Sequence, residues 1–145
     1  MADVHAVAAY ILQQQGPMTT MKLQKLAYYS QAWHLVWDAE PLFQARIEAW
    51  MNGPVVRDLY DQHRGNFRVT EWPAGDATAL TANERETIDV VLANYGDLAP
   101  QTLSEMTHRE NPWREARRGL RPTARSDREI SQDSMQQYYD AIANS

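Results

Sequence analysis

Along most of the chain, apolar residues recur every three to four positions, the spacing of helices buried on one side. Asp3 is placed to cap a first helix with Val4, Val7, Ala8 and Ile11 on one face, and Gly16-Pro17 stops it. Thr19 or Thr20 opens a second helix that runs to about Asp38. Pro54 suits the first position of a third, with Val55, Leu59, Tyr60 and His63 in register before Gly65. Thr81 and Glu84 make a capping-box pattern ahead of Ile88, Val91, Leu92 and Tyr95, and Gly96 closes that helix. A fifth helix is predicted from Thr102 to Arg109, and Asn111-Pro112 opens a sixth through Arg118. Ser131 or Asp133 starts the last, with Met135, Tyr138, Tyr139 and Ile142 inward. Two pieces alternate instead, RIEAWM at 46–51 and FRVTEW at 67–72, and could pair as short strands. Residues 119–130, GLRPTARSDREI, read as an arginine-rich connector. The pattern predicts a mainly α, single-domain compact bundle of about six or seven helices over residues 1–145, with room for a short two-stranded β element.

The second helix carries most of the ring area. On a helical wheel Leu23, Leu26, Ala27, Ser30, Trp33, His34 and Trp37 share a face about 120° wide, a core stripe. Tyr28 and Leu35 lie nearly opposite, and Tyr29, Ala32 and Val36 lie on the flank between. Only Gln24, Gln31 and Asp38 form a polar wedge. A helix apolar nearly all round is either wrapped by the others or keeps one face for a partner. On the second reading Tyr28, Tyr29 and Leu35 are the outward anchors.

Charge and composition narrow the function classes. The absence of cysteine excludes disulfides and a cysteine-ligated zinc site. The start MADVHAVAAYILQQQ lacks the basic and long apolar parts of a signal peptide, and the expectation is a cytoplasmic protein with no membrane partner. The net charge is −5, yet seven arginines stand between Arg109 and Arg128 against three carboxylates. An acidic chain with one basic arm is a poor general nucleic-acid binder and suits an acidic patch on another protein, with Arg117, Arg118 and Arg121 as steering charges.

Catalytic signatures are sparse. His5, His34, His63 and His108 form no close metal-ligand pair, the glycines are not clustered, and no GxSxG or cysteine nucleophile occurs. No cofactor, metal or catalytic residue is expected. The alternatives are a small hydrolase or transferase using His34 and His108, and a DNA-binding autoregulator using the Arg109–Arg128 segment.

Four motifs in fixed order carry a resemblance: KLQKLAYYSQAWHL, PLF, IEAWMNGPVVRDLY and LSEMTHRENPWREAR. The chain resembles the Panacea domain, the SocA-like, phage-associated antitoxin family, from about residue 5 to the last helix. The resemblance implies a small cytoplasmic protein paired with a toxin, which it neutralises by direct contact; in one branch of the family the antitoxin also hands its toxin to a protease. It leaves homo-oligomerisation open. The family's motif positions fall on Lys22, Leu23, Lys25, Trp33, His34, Trp50, Gly53, Pro54, Thr107, His108, Pro112 and Trp113, which residue chemistry reads mostly as scaffold. The chain departs from the family at Met51-Asn52, where a lysine-tyrosine or similar pair often precedes Gly-Pro.

Overall fold

The computed structural model describes residues 1–145. Seven α-helices and four short strands run in the order α1 (Val4–Gln15), β1 (Met18–Thr19), α2 (Thr20–Asp38), β2 (Ile47–Trp50), β3 (Gly53–Val56), α3 (Arg57–His63), β4 (Arg68–Val69), α4 (Ala82–Tyr95), α5 (Pro100–His108), α6 (Asn111–Ala116) and α7 (Gln132–Ala143). The mainly helical expectation holds. Its capping chemistry is local and readable. Asp3 accepts from the His5 amide, Thr19 from Lys22, and Ser131 from Ser134. Thr81 and Glu84 exchange both bonds of a capping box. Each such cap stabilises its helix by about 1 kcal/mol.

Helix α2 is the axis of the fold. It packs against α1, α4, α5, α7 and β3. Leu23, Leu26, Ala27, Tyr28, Tyr29, Ala32 and Leu35 join Val7, Ile11, Ile88, Leu103 and Tyr139 in one buried cluster. The polar wedge of α2 is buried as well. Gln31 takes the Leu42 and Phe43 amides on its Oε1 (2.7 and 3.2 Å) and donates to the Phe43 carbonyl (2.7 Å), fixing the turn that follows the helix.

The β pairing differs from the expectation. Segment 46–51 does not pair with 67–72. β2 pairs with β3 in an antiparallel hairpin, Ile47 opposite Val56 and Trp50 opposite Gly53, while β4 pairs with β1. Pro54 therefore lies in a strand, and α3 begins at Arg57. The placement is unstrained. The Ala49 amide points away from β3 to Arg128, so Ala49–Pro54 is a pair without ladder bonds and the missing proline N–H is not needed. Asn111 is the first residue of α6 rather than its cap; Glu110 holds the cap position and turns its carboxylate elsewhere. On α7, Met135 and Tyr139 are buried, but Ile142, in the last turn of the helix, is 42% exposed.

Candidate functional site: a clamped hairpin and its groove

The β2–β3 hairpin is held by side chains of α2, α5 and α6 and of Arg117 that reach its backbone. On the β3 edge, Gln24 of α2 accepts from the Val56 amide (2.7 Å) and donates to the Val56 carbonyl (3.2 Å), the pair of bonds a neighbouring strand would make. Lys25, next in sequence, donates to the Pro54 carbonyl at 3.2 Å. From α5, the Ser104 hydroxyl donates to Asn52 O at 2.6 Å. From α6, the Trp113 indole donates to Trp50 O at 2.7 Å, and the Arg117 guanidinium just beyond donates to Ala49 O at 2.9 Å. The β2 edge is closed by the chain itself: Ala49 N donates to Arg128 O and Ile130 N to Ile47 O, both at 2.8 Å.

Gly53 is required at the turn. Its φ is +121°, and a Cβ would come within 2.5 Å of Lys25 Cε. Lys25 is buried with no carboxylate beside it, and burial lowers its pKa to about 8. The His108 ring stacks on Trp113 with centroids 4.2 Å apart, and its Nε2 is buried without a hydrogen-bond partner. Burial, then the charges of Lys25 and Arg117, pull its pKa down, so this imidazole is neutral near pH 7.

Arg117 also organises the segment after α6. Its second nitrogen donates to the carbonyls of Arg121, Pro122 and Ala124, at 3.3, 3.3 and 2.7 Å, and its guanidinium lies 5.1 Å over the Trp113 ring. Residues 119–130 form a strap, held by Arg117 near its start and laid along β2 at Arg128–Ile130. Between strap and hairpin runs a groove of about 620 Å³ lined by Trp50, Met51, Asn52, Val55, Tyr60, Arg125, Ser126 and Asp127. Trp50 packs edge-on to Tyr60 at 4.7 Å and donates to buried Glu48 at 2.8 Å, while Met51 at the tip is 41% exposed.

Several sequence assignments move. Tyr28, Tyr29 and Leu35 are not outward anchors: they are 1%, 0% and 3% exposed, because α2 is covered on the sides those residues face. Their rings belong to an internal cluster. The hydroxyls of Tyr29 and Tyr139 both donate to Glu110 Oε1, at 2.7 and 2.8 Å, and Tyr28 and Tyr139 share a bond of 3.1 Å. Burial raises the Glu110 pKa, and the two tyrosine bonds partly offset it. Trp37, assigned to the core stripe, is 46% exposed and stacks on half-buried Trp33, whose indole donates to Tyr95 OH. Arg117 is buried and cannot steer a partner, whereas Arg118 and Arg121 are exposed.

The remaining motif residues have structural places. Leu23, Pro112, Trp113 and Thr107 are buried, Thr107 donating to Ser104 O, and Lys22 is half-buried at the start of α2. His34 and His108 share no partner: His34 bonds Thr87 of α4 at 2.7 Å and lies 3.5 Å from Asp38, while His108 faces Trp113. No group of three His, Asp or Glu residues is placed to hold a metal ion. The Arg109–Arg128 segment forms one short helix and the strap, not two helices joined by a turn. Sequence reasoning missed Gln24, Gln31 and the groove; the one available signal was a glutamine on an otherwise apolar helix.

Neither a curated protein nor a solved structure matches the chain. A family profile does, over residues 23–114. That span begins in α2 and ends in α6, taking in the hairpin and each clamping side chain except Arg117. The chain belongs to the antitoxin SocA-like, Panacea domain family.

Proposed function

We propose that this chain is the antitoxin of a toxin–antitoxin pair and neutralises its cognate toxin by direct protein contact, with no chemistry of its own. Family membership supports the antitoxin role. The observation that carries the contact mechanism is the clamped hairpin: buried and half-buried bonds from α2, α5, α6 and Arg117 fix its backbone while Met51 and part of Trp50 reach solvent. Anchors held in advance lose little entropy on binding, which favours a tight complex. The protein acts in the cytoplasm beside its toxin, and no helix is long and apolar enough to cross a membrane.

The test is co-expression with the product of the adjacent reading frame, followed by co-purification and growth measurement. A stable complex with restored growth is expected. Failure of both for every neighbouring product refutes the reading. A folded His34→Gln, His108→Gln double variant should still protect. If it binds toxin yet fails to protect, the enzymatic alternative takes over.

A further inference from the structure

The strap and the hairpin tip together form a surface whose chemistry selects a kind of partner. Trp50, Met51, Tyr60 and Arg125 line the groove, and tryptophan, tyrosine, methionine and arginine are the residue types enriched where binding energy concentrates. Arg125 is exposed at the groove, and Arg118, Arg121 and Arg128, exposed too, stand on the same stretch of chain; none of the four reaches a carboxylate, the arginine ion pairs being those of Arg46 and Arg57. Asp127 is the one acidic side chain lining the groove. In a chain of net charge −5 this leaves an isolated positive strip next to an apolar slot.

Resting on the antitoxin reading, we propose that this groove is the toxin-docking surface, and that it takes an acidic segment of the partner that inserts one aromatic or long aliphatic side chain between Met51 and Tyr60. The exposed guanidiniums attract the carboxylates and set the rate of encounter, and the slot holds the anchor and sets the rate of escape. Arg117 takes no part in contact; it ties the strap to the hairpin from beneath, through three strap carbonyls and the Ala49 carbonyl.

The experiment uses the full chain as bait for a display library of random 16-residue peptides, and the consensus peptide, synthesised, as the probe. Acidic residues flanking a Trp, Phe or Leu should be enriched. Met51→Asp, at an exposed turn and checked by its denaturation midpoint for a retained fold, should weaken the peptide at least tenfold, mainly through faster dissociation. Arg121→Glu with Arg125→Glu should slow association several-fold and flatten its dependence on NaCl. Selection without acidic enrichment, or a consensus peptide that binds the Met51→Asp protein unchanged, overturns the proposal. The adjacent gene product separates the two claims. If it binds wild type and both variants alike, the surface is wrong and the antitoxin reading stands. If it neither binds nor is neutralised, the antitoxin reading fails, while the peptide selection still decides which ligands the groove accepts.

Discussion

The hairpin clamp and the tyrosine cluster are both largely removed from solvent, both polar, and built around ionisable groups of opposite kind. The clamp contains two cations, Lys25 and Arg117, with no carboxylate at hand; backbone carbonyls accept their hydrogen bonds. The cluster contains one anion-forming group, Glu110, held by two tyrosine hydroxyls instead of a cation. A direct pair between them would join the charges, yet the fold keeps them apart and neutralises each with dipoles. The two regions therefore respond to protons in opposite directions. Lys25 has a folded pKa of about 8, below its unfolded value near 10.4, so the unfolded chain binds more protons in that window and stability rises with pH across it. Glu110 has its pKa raised, so its contribution is fullest in acid and is lost as pH climbs through the raised value.

Tyr29→Ala tests the cluster most severely. It empties a fully buried ring site and strips a donor from Glu110, and should cost about 3–5 kcal/mol in denaturant unfolding. A cost below about 1 kcal/mol would mean the cluster is not core. Gln24→Leu addresses the clamp. It leaves the Val56 amide and carbonyl unpaired in the interior and should cost about 2–4 kcal/mol, although an apolar residue replaces a polar one. A neutral outcome would show that the β3 edge finds water instead. Lys25→Met isolates the charge contrast. Wild type should gain about 2 kcal/mol between about pH 7 and pH 10, and the variant should not. Equal slopes would place the amine in contact with solvent. Trp37→Ser should change stability by less than about 1 kcal/mol, because the ring is 46% exposed at the end of α2. A larger loss would extend the cluster to the surface.

The caps and the extent of α2 were legible because they depend on neighbours a few residues away, as Thr81 and Glu84 do. The hairpin was half legible. Asn52-Gly53 between Ile47 and Val56 is turn chemistry, but Pro54 also suits a helix start, and only the pairing register decides between them. The faces of α2 were misread because a wheel assigns inside and outside by polarity. Gln24 and Gln31 are inside because they satisfy backbone that would otherwise be unpaired, and Tyr28 is inside because α7 brings Tyr139 to it. Spacing along one helix carries no trace of that partner 111 residues away. The groove was illegible for the same reason: Met51 and Arg125 are distant in sequence and meet through the strap.

Arg117 grips the strap by peptide oxygens alone, at residues 121, 122 and 124. Every amino acid supplies that oxygen, proline included. Between residues 121 and 124 the path of the strap is therefore insensitive to which side chains it carries, while buried Ile130 anchors its far end, and substitutions at 121 and 124 can redraw the surface beside the hairpin while its frame stays put. One buried guanidinium thus separates the shape of this face from its lettering.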